Sequence, residues 1–180
     1  MTDRRAWLAR LPEMRIAYFE LADGYSRTPE GVLIPDWDVI GAHWDAFNDW
    51  RVRTRPALGR IDIAALGITD DEKGTLRTGV PIRGDYSPPP PARTALFTGG
   101  SYAYVYADNF DEIDEAAAAA RRWIEANGFH RASGLIEAYK FHYNMDQHPC
   151  DCGYLVLNAD GTEPIAAPST HTSPLPIAKA

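Results

Sequence analysis

The sequence predicts an α+β protein made of two tandem β-α-β-β modules. Residues 99–129 have the pattern of a glycine turn, a strand, a capped helix and a glycine stop. An earlier segment has the same order, because residues 17–19 match residues 103–105 and both lead into a helical pattern. Trp50 and Trp123 fall near the ends of the two predicted helices. The repeated order of elements indicates an internal duplication.

Later matches support the duplication. Residues 59–62 align with 134–137, and residues 76–80 align with 150–154, at an offset of about 74 positions. The offset at the first match is larger by about a dozen positions. This difference predicts an insertion in the first copy, most simply at residues 26–35.

The domain limits follow from composition. We expect a single domain over residues 1–158, with module one at about 14–83 and module two at about 93–158. Residues 83–91 end in four consecutive prolines and are predicted to form an extended connector. Residues 159–180, rich in Pro, Ala and Thr, are predicted to form a mobile tail.

Module one is predicted element by element from its pattern. An edge strand after a frayed turn is expected within 1–13, and residues 15–21 alternate as a strand. Glycine and proline predict a loop at 22–35, followed by a helix at 36–50. Two further strands are expected at 60–66 and 76–82. The helix carries three tryptophans, which either face the core or line a pocket: Trp37, Trp44 and Trp50.

Module two is organised around its first strand. Tyrosines 102, 104 and 106 share one face, and small residues share the other, where a helix can lie close. Asp108 or Asn109 is predicted to cap the helix that follows. That helix has an apolar stripe at helical spacing, formed by Ile113, Ala117, Ala120 and Ile124.

Three more strands complete module two. A short strand is expected at 93–97, ahead of the tyrosine strand. The two after the helix are predicted at 135–141 and 153–157. One face of the strand at 135–141 carries Leu135, Glu137, Tyr139 and Phe141.

The net charge, the lengths of the apolar runs and the number of cysteines argue against several classes of protein. A net charge of −7 with dispersed basic residues argues against a nucleic-acid surface, which needs clustered Lys and Arg. No apolar run is long enough to span a membrane, and the N-terminus lacks the apolar core of a signal peptide. With only two cysteines, a reducing cytoplasm is the expected location.

Several of these stretches together resemble the GyrI-like effector-binding family. The resemblance covers about residues 15–158 and is carried by RIAYFELADGY, LRTGVPI, GGSYAYVYADNFDEIDEAAAAARRWIEANGF, IEAYKF and GYLVLN. It implies antiparallel sheets with helices packed on them, pseudo-twofold symmetry, and a groove between the modules that binds bulky apolar or cationic small molecules. Members of this bacterial family include multidrug sensors, stand-alone drug-binding proteins that serve in stress or antibiotic resistance, a gyrase inhibitor and cyclopropane-opening hydrolases.

Three departures from the family pattern affect this interpretation. The family's ligand-facing glutamate in the last strand, in a motif like Glu-Ile-Tyr, falls here on Gly153. The acid expected in the first copy falls near Arg77. No DNA-binding segment precedes module one in this sequence, so we expect no direct nucleic-acid partner.

The predicted groove has aromatic walls and one or two acids. Drug-binding pockets are mostly aromatic and apolar, with few polar groups. Glu137 is the first candidate to meet a cation or activate water, and Glu20 is the second; each could instead face solvent or pair with a basic residue. The candidate ring set, whose members could equally be core, is Tyr18, Trp37, Trp44, Tyr104, Tyr106, Tyr139, Phe141 and Tyr154.

A cluster of histidine and cysteine follows the strand at 135–141. His142, His148, Cys150 and Cys152 could bind zinc across a hairpin, although C-x-C is shorter than the usual zinc spacing. The alternative is a polar loop with two half-buried thiols. We predict no cofactor and no metal.

Three functions are compatible with these observations. The first is a stand-alone binder of bulky aromatic or cationic molecules. The second is a hydrolase that opens cyclopropane rings with Glu137 and either Tyr104 or Tyr139. The third is an interaction protein that restrains DNA gyrase. The sequence does not fix the ligand or the oligomeric state.

Overall fold

A computed structural model describes residues 5–59, 61–141, 143 and 147–165. Module one contains β2 (Met14–Leu21), β3 (Tyr25–Arg27), β4 (Leu33–Pro35), α1 (Trp37–Thr54), β5 (Ile63–Asp70) and β6 (Thr75–Pro81). Module two contains β8 (Gly100–Ala107), a 3₁₀ turn (Phe110–Glu112), α2 (Ile113–Ala126), β9 (His130–Arg131), β10 (Ile136–Lys140) and β11 (Cys150–Leu157). β1 (Ala6–Leu11) precedes module one, and β7 (Arg93–Phe97), which was predicted as the first strand of module two, pairs with β2 of module one.

The main sheet is antiparallel and reflects the duplication. Its strand order is β1-β8-β11-β10-β5-β6-β2-β7, with β9 added beside β11. Module two supplies β8, β11 and β10, and module one supplies β2, β6 and β5 in the mirrored order. The modules meet where β5 pairs with β10. The α+β fold with helices packed on antiparallel sheets is therefore confirmed.

The sheet is strongly curved. Only Pro12 and Glu13 separate β1, at one end of the sheet, from β2, near the other end. Because two residues span only about 7 Å, the two ends must lie together. Gly99, with φ of 70°, makes this possible: a Cβ there would overlap the carbonyl of Leu11. The curvature creates an enclosed inner face and an outer face, which we call the helix face.

Both helices pack on the helix face. The small residues of β8 contact α2, as their pattern predicted, and the shared cluster includes Ala103, Val105, Ala116 and Ala120. Phe47 and Trp50 of α1 pack with Ala17 and Val80 of module one. Neither helix in the described part of the chain is long and apolar enough to cross a membrane.

Several predicted boundaries differ from the structure. The expected loop at 22–35 contains the β3–β4 hairpin, which lies within the predicted insertion. The helix predicted to end at residue 50 continues to Thr54. Asp36 caps α1, whereas Asn109 makes no side-chain capping bond, because a 3₁₀ turn precedes α2. The strand expected from residue 60 begins at Ile63, and Arg60 lies outside the described residues.

The chain after β11 is described as far as residue 165. Ser101 donates a hydrogen bond of 2.7 Å to the carbonyl of Pro164, and Arg10 pairs with Glu163 at 2.7 Å. These contacts hold residues 163–164 against β1 and β8. The rest of the predicted tail, residues 166–180, lies outside the described residues.

Candidate functional site

The helix face has a gap in its packing at the junction of the modules. There, Glu137 of β10 stands opposite Gly67 of β5, so no β5 side chain covers it. Trp44 of α1 reaches over this position: a Cβ at Gly67 would lie 3.2 Å from the Trp44 ring and 3.3 Å from the Glu137 carboxyl. The glycine thus allows an indole and a carboxylate to meet above the centre of the sheet.

An aromatic pair lies beside this carboxylate. The rings of Trp44 and Tyr139 meet edge to face, with centroids 5.3 Å apart. Tyr139 projects from β10 on the same face as Glu137, two positions later, and its hydroxyl donates a 2.7 Å hydrogen bond to the Glu137 carboxylate. The predicted neighbours Trp44, Glu137 and Tyr139 are therefore brought together.

The environment of Glu137 favours its neutral form. The side chain is buried, with 7% of its surface exposed. Burial raises the pKa of Glu137 above its ordinary value, and the charge of Asp114 on α2 raises it further, while the Tyr139 hydrogen bond opposes the shift. In the described part of the chain, no basic side chain forms an ion pair or hydrogen bond with this carboxylate.

A cavity of about 200 Å³ opens next to this group. Its apolar walls come from both modules and include Trp44 and Ala65 of module one and Phe110 and Tyr139 of module two. Polar groups at its rim are Asp45, Asn48, Arg51 and His148. A partly open cavity that combines aromatic walls with several polar side chains has features of a small-molecule site.

A second ring pair bridges the modules. Trp37, at the start of α1, meets Phe110 edge to face at 4.9 Å. Trp37 also lines a second cavity of about 430 Å³, together with Tyr25, Ser26 and Pro35 of the β3–β4 hairpin. The Tyr25 hydroxyl lies 3.1 Å from that of Thr69, and burial raises the pKa of Tyr25 to about 12. The contact between Trp37 and Phe110 thus joins the walls of the two cavities.

Other predicted ring residues lie on the inner face. Tyr104 stacks on Tyr102 at 5.2 Å, and Tyr18 packs in the same cluster with Ile16 and Leu66. Tyr106 meets Tyr143 edge to face at 5.3 Å. The sheet separates these tyrosines from the Trp44–Tyr139 cavity.

The remaining candidates lie elsewhere. Tyr154 is buried on the helix face, where Arg121 donates a 2.7 Å hydrogen bond to its hydroxyl. Phe141 has 53% of its surface exposed. Glu20 forms ion pairs with Arg77 at 2.7 Å and Arg93 at 3.6 Å.

Gly153, where the resemblance led us to expect a glutamate, is closely packed. A Cβ at Gly153 would overlap the carbonyl of Ala103 and the backbone of Tyr104. This strand position therefore has no room for a side chain. Gly153 pairs with Tyr104 and Ile136 of the inner face, so Glu137, on the helix face, lies on the opposite side of the sheet from this position.

The histidine–cysteine cluster is only partly brought together. Cys150 and Cys152 are buried, with sulfur atoms 3.3 Å apart, while His148 lines the cavity. His142 lies outside the described residues. Among those described, no group of three or more metal-binding side chains occurs.

Sequence patterns alone did not single out some contributors. Phe110, Gly67 and Tyr25 become relevant only through cross-strand register and helix placement. The one available signal was the position of Phe110 immediately before the predicted helix, where an apolar residue can reach the neighbouring module.

Comparison with known proteins gives a consistent fold assignment. No family model matches the sequence, and no curated protein matches it. The C-terminal domain of EcmrR superimposes with a TM-score of 0.67 at 13% identity, covering 88% of this chain and 99% of that one. In the EcmrR–DNA complex the TM-score is 0.65 at 13% identity, and the match covers 88% of this chain and 59% of that one.

A ligand-bound protein is also similar. SAV2435 bound to tetraphenylphosphonium superimposes with a TM-score of 0.59 at 11% identity, covering 85% of this chain and 94% of that one. At such identities the likeness shows the fold alone. These neighbours are GyrI-like domains, and the chain shares their fold.

Proposed function

We propose that this protein binds bulky aromatic small molecules, including lipophilic cations, at the junction of its modules. The observation that carries the proposal is Glu137, a buried carboxylate under an aromatic pair, beside a cavity with walls from both modules. Burial disfavours the charged form of Glu137, so a cation bound here stabilises the carboxylate and binding is coupled to loss of its proton, while the rings of Trp44 and Tyr139 supply aromatic contacts to the cation. Apolar burial supplies affinity without strict shape requirements.

The cavity is too small for a bulky ligand unless a side chain moves. Its 200 Å³ is below the roughly 300–1,000 Å³ of typical drug-sized pockets. Trp44 occupies the space above Gly67, so a bulky ligand enters by displacing this indole. The site is therefore an adaptable one, opened by movement of a side chain of α1.

Tetraphenylphosphonium is the appropriate first probe, since SAV2435, a protein of the same fold, has been solved with it bound. We expect it to raise the melting temperature of the wild-type protein. For a micromolar Kd, about 100 µM probe adds about 2.7 kcal/mol of stability. Absence of any stabilisation at this concentration would contradict the proposal.

A matched pair of variants tests the role of the carboxylate. Glu137→Gln keeps the shape of the side chain but removes its charge, so we expect at least a tenfold weaker Kd by calorimetry. Glu20→Gln is the control, since Glu20 already pairs with Arg77 and Arg93. Equal weakening in both variants would assign the effect to net charge.

A second candidate is hydrolytic opening of a strained cyclopropane ring in the same groove. It is favoured by one observation: Glu137, whose pKa is raised by burial, can keep a proton and is joined to Tyr139 at 2.7 Å. Mass spectrometry of such a compound after incubation would detect the water-added product. Turnover unchanged by Glu137→Gln would remove Glu137 from this role.

A further inference from the structure

The two cysteines form a buried pair that the proposed binding function does not use. Cys150 and Cys152 project from the same face of β11, both fully buried, with their sulfur atoms 3.3 Å apart. Cys152 pairs across the two strands with Glu137 of β10. The thiols therefore lie beside Glu137 and beneath α2.

A disulfide does not suit this geometry. Alternate residues on a strand are about 6.6 Å apart, and their Cβ atoms point the same way. A disulfide requires Cβ atoms about 3.5–4.5 Å apart, so the bond would distort β11 where it pairs with β8 and β10. Cys150 and Cys152 are therefore two free thiols.

Zinc is also disfavoured. Structural zinc sites use four ligands, and the thiols must lose their protons to bind. Two thiolates buried next to Glu137 and Asp151 would place like charges together in an apolar layer. The hydrogen bond with Cys150 and burial raise the pKa of the Cys152 thiol well above its ordinary value.

We propose that Cys150 and Cys152 form a bidentate site for trivalent organic arsenicals. In the reaction, two As–S bonds form and the As=O bond of an arsine oxide breaks. The two thiol protons leave with the oxygen as one water molecule, and no oxidation or reduction occurs. Arsenic bridges the two sulfur atoms, so the S–S contact never has to become a bond.

The surroundings match this chemistry. Reactants and product are uncharged, so the adduct buries no new charge among Ala116, Ala120 and the other apolar residues of the cluster. Tyr139, which belongs to the same buried cluster as both thiols, and His148 line the 200 Å³ cavity. His148 is two residues before Cys150. The organic group of the arsenical is expected to point toward this cavity.

Because α2 covers both thiols, local opening limits the rate. We expect the folded protein to form the adduct more slowly than the urea-unfolded chain, but to completion. This site does not depend on the proposed cation-binding function. It would remain even if tetraphenylphosphonium failed to bind.

The test is native mass spectrometry with phenylarsine oxide. The chain contains only two cysteines, so every adduct can be assigned. We expect one arsenical per folded wild-type chain, with loss of one water, and an adduct that resists millimolar glutathione but is removed by 2,3-dimercaptopropanol. The adduct should also raise the melting temperature.

Two single variants serve as matched controls. Cys150→Ser and Cys152→Ser each keep one thiol and the burial pattern, and circular dichroism checks their fold. We expect neither to keep an adduct in glutathione, a loss of at least tenfold in occupancy. Labelling of the wild type only after unfolding, or equal retention by either variant, would overturn the proposal.

Discussion

Two buried carboxylates on neighbouring strands differ in what surrounds them. Asp151 of β11, on the inner face, pairs with Lys140 at 2.7 Å and accepts a 2.6 Å hydrogen bond from Tyr143. Glu137 of β10, on the helix face, accepts a hydrogen bond from Tyr139 and, within the part of the chain that the structure describes, has no cationic partner. The charge of Asp151 is compensated within the fold by Lys140, whereas burial disfavours the charged form of Glu137.

The rings around the two carboxylates show the same difference. On the inner face, the Tyr102 hydroxyl lies 2.7 Å from the carbonyls of both Ile136 and Asp151, and Lys140 lies over the Tyr104 ring at 5.6 Å. On the helix face, the rings surround a cavity. The polar groups of the inner-face cluster are therefore used within the fold, whereas the helix-face rings line an open space.

The largest expected effect is on the inner face. Asp151→Ala leaves the Lys140 ammonium, whose side chain is only 20% exposed, without its partner. Breaking such a pair should cost about 3 kcal/mol or more of unfolding free energy, measured by urea denaturation. The double variant with Lys140→Met should recover part of the loss, and no recovery would show that the ion pair is not the cause.

The hydroxyl of Tyr102 should give the next largest effect. Tyr102→Phe leaves two buried carbonyls without this donor, which should cost about 1–3 kcal/mol. Tyr104→Phe is the matched control, because the Tyr104 hydroxyl forms no hydrogen bond with another of the residues that the structure describes. Equal losses in the two variants, again in urea, would contradict the assignment.

Replacing the helix-face carboxylate should affect stability in a pH-dependent way. The folded-state pKa of Glu137 lies above its ordinary value of 4.5. The contribution of the protonated side chain to folding stability is therefore full below pH 4.5 and is lost as the pH rises through the folded-state pKa. Glu137→Gln removes this dependence. We expect equal stabilities in acid and a variant more stable than wild type at pH 7, measured by thermal unfolding at several pH values. A variant less stable at pH 7 would contradict a raised pKa.

The smallest effect is expected at the ring pair that bridges the modules. Trp37→Leu keeps an apolar side chain but removes the edge-to-face contact with Phe110, at a cost of about 0.5–1.5 kcal/mol. Phe110→Leu should cost a similar amount. In a double-mutant cycle the two losses should be less than additive, and full additivity would show that the rings do not interact.

The sequence predicted more of the fold than of the site. Alternation in β2 and β8 and the stripe of α2 each follow from local periodicity, and all appear in the structure. Hairpin β3–β4 was missed because its glycine and proline content also fits a loop. Of the ring candidates, Trp44 and Tyr139 meet at the cavity, whereas Tyr18 and Tyr104 lie across the sheet.

The amino-acid pattern by itself determined the duplicated β-α-β-β order, the aromatic content and the presence of Glu137, since these depend on neighbours in the chain. Tertiary structure alone decided which face each ring occupies at the junction and which carboxylate has a basic partner. Those outcomes depend on the register between β5 and β10 and on the curvature that encloses the inner face. Lys140 and Asp151 are eleven positions apart, and only strand pairing brings their charges together.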